Sequence, residues 1–174
     1  MVRMLDDLLD LTRARLGSGI PIEKQSVDLG RIARKVCEEL DAGVSPPRVR
    51  LDVAGDLRLD ADPARLEQVI SNLVGNALRH GASDREVRVT AASGADRVHV
   101  RVYNAGAIPE SLLPHIFEPF RARTDRRARP EGLGLGLYIV SQIVRVHGGE
   151  IAVQSAEDAG TTIEITLPRA ARAS

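Results

Sequence analysis

Tryptophan is absent from this 174-residue chain, and phenylalanine and tyrosine occur only twice each. With aromatic residues at 2%, the core has to be aliphatic, and there is little ring surface on which nucleic-acid bases could stack, so no nucleic-acid partner is expected. The single cysteine, Cys37, excludes an intramolecular disulfide framework and every zinc site that needs two or more thiolates. Its setting in RIARKVCEEL predicts a buried helical position. Net charge is missing too. Lys and Arg total 24 and Asp and Glu total 24, so no global field draws the chain to nucleic acid or anionic lipid, and any bound anion must be held locally. No apolar run reaches the roughly 18 residues of a membrane span, and the acids in MVRMLDDLLD spoil a secretory signal. A cytoplasmic location is expected, with a membrane anchor upstream of Met1 left open.

What is present fits one domain: 43% hydrophobic and 28% charged residues in 18.8 kDa,. Leu5, Leu8, Leu9 and Leu16 stand at helical spacing ahead of Gly17-Ser18-Gly19, either as a terminal helix folded back on the domain or as half of a helical hairpin. Asp28 is placed to cap a helix whose apolar stripe is Leu29, Ile32, Ala33, Val36, Cys37 and Leu40,. After Pro46-Pro47, a strand over 49–53 and a short one around Leu57 and Leu59 are expected. Asp62-Pro63 then opens a helix burying Leu66, Val69, Ile70, Leu73, Ala77 and Leu78, with Gly81 as its stop,. Strands near 87–90 and 98–102 follow, then a short helix near 112–117 and a helix near 137–147 ended by Gly148-Gly149. Strands near 151–154 and 162–167 close the chain. This order predicts an α+β fold, a two-layer α/β sandwich whose mixed sheet carries helices on one face.

Three patterns could carry chemistry. Asn72, Asn76 and His80 recur every fourth residue along the edge of one helix,. Such amides can be satisfied by backbone or water, or their oxygens can serve a magnesium–phosphate group, with Arg79 and His80 donating to the phosphates. Gly132, Gly134 and Gly136 alternate with leucines directly before an apolar helix. They suit a hinge or tight helix–sheet packing, and equally a backbone cradle for phosphate at a helix N-terminus. No strand precedes them, against a dinucleotide fingerprint, and no Gly-Lys-Ser/Thr follows, against a Walker A loop. Arg121, Arg123, Arg126, Arg127 and Arg129 form a basic run that is either a solvated loop or a cover for polyphosphate. His99 and His115 suit surface positions, and His147 before Gly148-Gly149 suits a helix end where it complements the dipole.

In order from about Asp60 to Pro168, these elements resemble the ATP-binding catalytic domain of two-component sensor histidine kinases, in the superfamily shared with gyrase and ninety-kilodalton heat-shock chaperones. Residues 72–80, NLVGNALRH, resemble the family's N box; 116–120, IFEPF, its F box; 132–137, GLGLGL, its second glycine box; and Gly160-Thr161-Thr162 its closing segment. The resemblance implies ATP and Mg²⁺ as cofactors, with Asn76 as metal ligand and Asn72 orienting metal-bound water or phosphate. It implies nucleotide contacts from Arg79, His80, Asn104, Gly106, Arg121, Gly132, Gly134, Leu135, Gly136, Leu137 and Thr161, and an ATP lid from about Arg121 to Glu131. LDDLLDLTRARLG looks like the end of a dimerisation and phosphotransfer hairpin, especially of kinases related to bacteriophytochromes. The implied organisation is 1–19 as that helix end, 20–170 as the catalytic domain and 171–174 as a tail. The implied partners are a phosphoacceptor histidine helix, a second copy through the N-terminal helix, and a response regulator.

Two departures stand out. Where the family's first glycine box has Asp-x-Gly-x-Gly, this chain has NAGAIP from Asn104 to Pro109, one residue shorter. Asn can still accept from an adenine amine and donate to a ring nitrogen; losing the charge-assisted bond costs about 1 kcal/mol, roughly five- to tenfold in affinity. None of the four histidines lies in the N-terminal helix, so self-phosphorylation at the family's site is not expected of this chain alone. A non-catalytic module of the same fold and a serine kinase of the anti-sigma type are the competing readings.

Overall fold

The computed structural model describes residues 2–17, 19–120 and 134–169. Two aspartates set the first two helices of the domain. The Asp28 carboxylate ends β1 (Gln25–Asp28) and accepts from the Gly30 and Arg31 amides at 2.9 and 3.3 Å, starting α2 (Leu29–Ala42),. Between β2 (Val49–Ala54) and α3 (Pro63–His80) lies β3 (Arg58–Ala61), and the Asp62 side chain caps α3 through the Arg65 amide at 3.1 Å, with Pro63 in its first turn,. α2, α3 and α4 (Gly136–Val146) turn Ile32 and Val36, Ile70 and Leu73, and Ile139 and Ile143 into one core. A fully buried side chain of this kind contributes about 1.5–3 kcal/mol.

That core rests on one face of a five-stranded mixed sheet completed by β4 (Val87–Ser93), β5 (Arg97–Asn104), β6 (Glu150–Ala156) and β7 (Gly160–Pro168), in the order β2-β4-β5-β7-β6. Only β2 and β4 pair in parallel. Alternation decides the face: Val98, Val100 and Val102 are buried, as are Ile163, Ile165 and Leu167 opposite them, while Arg101 on the other face pairs with Glu164 at 2.8 Å,. The α+β sandwich expected from sequence is the observed fold. β1 was not expected, since QSVD has one apolar residue; it exists through antiparallel pairing with β3. The short helix expected near 112–117 is a single tight turn, Leu113–His115.

α1 (Val2–Arg15) is anchored by a buried ion pair. Asp10, 2% exposed, accepts from both Arg65 terminal nitrogens at 2.6 and 3.1 Å and from Gln68 at 3.3 Å, and Leu11 joins the core. Leu5, Leu9 and Leu16 remain 62%, 53% and 78% exposed. The helix is thus folded back on the domain and still offers an apolar stripe. No helix among the described residues is long and apolar enough to cross a membrane.

His147 corrects its sequence reading. It is 3% exposed, its Nδ1–H donates to the Ile143 carbonyl at 2.7 Å and its Nε2 accepts the Asp62 amide at 3.1 Å. Only neutral imidazole with the proton on Nδ1 does both, so no positive charge complements the helix dipole there. Burial holds its pKa below the usual 6.5, against the opposing bond to Ile143. The unfolded chain then takes up the proton at a higher pH than the native one, so stability is full above about pH 6.5 and is lost as pH falls through the native value. Thermal melts between pH 7.5 and 5.5 should show a fall in Tm that shrinks in His147→Gln. The remainder is assigned to His80, whose pKa is lowered chiefly by desolvation.

Candidate functional site

The Asn row of α3 meets the start of α4. Asn72 is half-buried, and its Nδ2 donates to the Gly136 carbonyl at 3.3 Å. A Cβ on Gly136 would lie 3.6 Å from Asn72 Cγ, so the helix edge and the glycine segment are in direct contact. With its NH₂ engaged there, Asn72 keeps its oxygen as an acceptor. Asn76, also half-buried, follows one turn later, and His80 ends the row beside exposed Arg79. Desolvation, with the Arg79 charge second, keeps the His80 pKa below its ordinary value, so at neutral pH it offers a neutral donor.

α4 begins without a side-chain cap at Leu135, unlike the aspartate-capped α2 and α3. Its first helical bond in from the loop runs from the Ile139 amide to the Leu135 carbonyl at 2.9 Å, which leaves first-turn amides directed out of the helix end. Gly134, at φ +68°, accepts from the Phe120 amide at 3.1 Å. The Leu135 side chain is buried and Leu137 packs against the core, so each can offer a ligand backbone atoms rather than its side chain. Arg121 and Gly132, with the stretch from Arg121 to Glu131, lie outside the described residues.

At the far end of the row, β5 ends at Asn104, which is 6% exposed. A Cβ on Gly106 would come within 2.9 Å of the His80 carbonyl oxygen and 3.4 Å of Asn104 Nδ2. Only glycine lets this loop lie so close to the end of α3. The Ala82 amide clamps the Ala105 carbonyl at 2.6 Å, and Thr161 Oγ1–H donates to the Gly106 carbonyl at 2.7 Å. The structure therefore brings Asn72 to Gly136, and His80, Asn104, Gly106 and Thr161 to one another, with Asn76 on the helix between the two groups.

Among the described residues no three His, Cys, Asp or Glu side chains cluster as a metal site. A cation at Asn76 would draw most of its ligands from water and phosphate, which suits magnesium and a neutral amide oxygen. A separate cleft of about 760 Å³ lies against Asp28, Arg31, Arg34, Asp56 and Arg58 and contains no residue of this site. Cys37 is buried, its thiol pKa pushed up to about 11 by desolvation first and nearby acids second, so it is inert at neutral pH. The residue sequence reasoning missed is Ser155, which bonds Thr161 at 2.8 Å; no motif marks it, because its role arises from strand register.

Residues 61–171 match the family described as histidine kinase-, DNA gyrase B-, and HSP90-like ATPase. The chain is 34% identical over 167 residues to the signal transduction histidine-protein kinase AfsQ2 of Streptomyces coelicolor, covering 95% of this chain and 30% of that protein. It is 35% identical over 162 residues to a bacteriophytochrome of Pseudomonas aeruginosa, covering 91% and 22%. The catalytic domain of histidine kinase ThkA superposes with a TM-score of 0.71 at 30% identity, covering 84% of this chain and 96% of that one. The chain spans less than a third of either curated relative. A family match across most of the domain, on a fold whose Asn-bearing helix faces an uncapped helix start, establishes that this chain belongs to the histidine kinase-, DNA gyrase B- and HSP90-like ATPase family.

Proposed function

We propose that the edge of α3 that meets the start of α4 binds Mg·ATP and that the domain presents the γ-phosphate to a histidine of the parent protein outside this sequence. The observation that carries this is the Asn72–Gly136 contact, which sets a row of neutral amide oxygens beside the α4 N-terminus, a helix start with no side-chain cap. One side suits a cation and the other an anion, and a metal triphosphate supplies both. Asn76 would hold the metal and Asn72 a metal-bound water or phosphate oxygen. Arg79 and His80 would donate to phosphates, and Asn104 would read the adenine edge from the end of β5. A magnesium ion held by Asn76 would supply positive charge that offsets the phosphates.

The chemistry these residues support is positioning. The phosphoryl group leaves ADP for an imidazole nitrogen, with no covalent intermediate on this domain. α1, with its exposed leucines, fits the end of a hairpin helix that pairs with a second copy in the parent protein, which would pass its phosphoryl group to a response regulator. The similarity to the bacteriophytochrome and AfsQ2 supports that placement. Calorimetry should find ATP binding in the micromolar to millimolar range, tighter with magnesium than with chelator. Adding the parent's histidine-bearing hairpin should yield an acid-labile phosphoprotein. No heat and no thermal shift at millimolar ATP would overturn nucleotide binding and favour a non-catalytic module; acid-stable phosphate would favour a serine acceptor.

A further inference from the structure

We infer that Ser155 is a positioning residue for adenine recognition, acting through a one-way chain of two hydroxyls, on β6 and β7, to the loop after β5; this rests on the nucleotide reading above. Register places Ser155 of β6 opposite Thr161 of β7, and Thr161 opposite Asn104 of β5. Directly paired residues share a sheet face, so the three form a single row. That row is the last before the sheet gives way to the loop that starts at Ala105.

The direction of the chain follows from counting protons. The Gly106 carbonyl only accepts, so the one proton of Thr161 Oγ1 is committed to it at 2.7 Å,. Thr161 must then accept from Ser155, 2.8 Å away. Ser155 Oγ in turn accepts the Ile108 amide at 2.8 Å. The order Ile108 N–H, Ser155 O–H, Thr161 O–H, Gly106 C=O has one donor and one acceptor at each step and no spare proton. It ties down the backbone on both sides of Ala107, while the Ala82 amide holds Ala105 from the opposite side at 2.6 Å. Asn104, immediately before this loop, is buried with its Nδ2 close against Gly106 and Gly81. The angle at which its amide meets a base therefore depends on where the loop is held, and Ser155 holds it at Ile108 directly and at Gly106 through Thr161. In a chain whose first glycine box is one residue short and carries Asn for the family's Asp, this tie substitutes fixed geometry for a charge.

Among the described residues, the hydrogen bond of Asn72 to Gly136 at the phosphate end and those of the relay share no residue. The two ends can be separated by ligand. Binding of Mg·ATP and of Mg·tripolyphosphate, which lacks a base, is measured by calorimetry for the wild type, Ser155→Ala, Ser155→Cys and Ser155→Thr, with hydrogen exchange at Ile108. Ser155→Ala should weaken ATP five- to tenfold, equivalent to about 1–1.4 kcal/mol, leave tripolyphosphate unchanged and speed exchange at Ile108. Ser155→Thr should restore ATP binding, and Ser155→Cys, with its weak donor and acceptor, should fall between. Equal ATP affinity in the wild type and Ser155→Ala overturns the inference alone. Equal losses for ATP and tripolyphosphate also overturn it, because they report general loosening. If Ser155→Ala does not fold, the Cys and Thr variants carry the same comparison. A wild-type chain that binds neither ligand overturns the nucleotide reading, and this inference with it.

Discussion

Asn76→Ala is expected to weaken Mg·ATP binding by about ten- to a hundredfold, or roughly 1.4–2.7 kcal/mol, and to remove most of the difference between ATP with magnesium and ATP with chelator. The size follows from the donor set. No cluster of three acidic, His or Cys side chains stands among the described residues, so on the proposed reading Asn76 would be the protein's main hold on the cation, with water and phosphate completing the shell. Asn72→Ala should cost less in metal dependence, because the Asn72 NH₂ is bonded to the Gly136 carbonyl at 3.3 Å and its oxygen acts at one remove. Asn72→Ala would instead loosen the seam between α3 and α4. The check is a magnesium titration of ATP affinity in both variants, with thermal stability as a control for folding. Mg·ATP affinity left intact in Asn76→Ala would place the metal elsewhere.

Legibility in the sequence followed locality. Asp28 and Asp62 each stand one residue before an amphipathic helix, and both caps are made by the residues that announce them, because capping is a contact over two or three positions,. The Asn row was legible for the same reason: a period of four on a helix fixes a shared edge whatever the rest of the chain does. Sequence reasoning failed where the deciding partner is remote. β1 has too little apolar patterning to be a strand until β3 pairs with it, more than thirty residues on. His147 looks like a helix end that could carry charge, and only the Asp62 amide, 85 positions away, makes it neutral. Ser155 lies in an ordinary alternating strand, and nothing short of the β6-β7-β5 register places it beside the first glycine box. The family resemblance supplied the assignment of Asn104 and Thr161 to one nucleotide pocket, which spacing alone could not have done across 57 positions of chain.

Gly160→Ala should be among the most damaging single-methyl additions to this domain, lowering stability by about 3 kcal/mol and Tm by roughly 6–12 °C. Two costs combine. Gly160 sits at φ +75° at the start of β7, a conformation costing an L residue with a Cβ about 1–2 kcal/mol. The added carbon would also lie 2.5 Å from the Asn104 carbonyl oxygen and 2.9 Å from the Tyr103 ring. The Asn104 oxygen belongs to backbone at the end of β5, still paired with Thr161, and cannot rotate away as a side chain could, so β7 must shift against β5. Gly148→Ala separates the terms: its φ is also +75°, yet the nearest atom to its Cβ would be Pro168 Cγ at an ordinary 3.6 Å, so it should show the torsional cost alone. Thr161 follows Gly160 directly and Asn104 is its register partner, so any shift that relieves the overlap also moves the hydroxyl holding Gly106. ATP affinity should accordingly fall in Gly160→Ala and hold in Gly148→Ala, in melts and titrations run side by side. Equal stability losses in the two variants would mean that β7 yields easily at its start, and that the close approach of Gly160 to Asn104 does not set the geometry of the site.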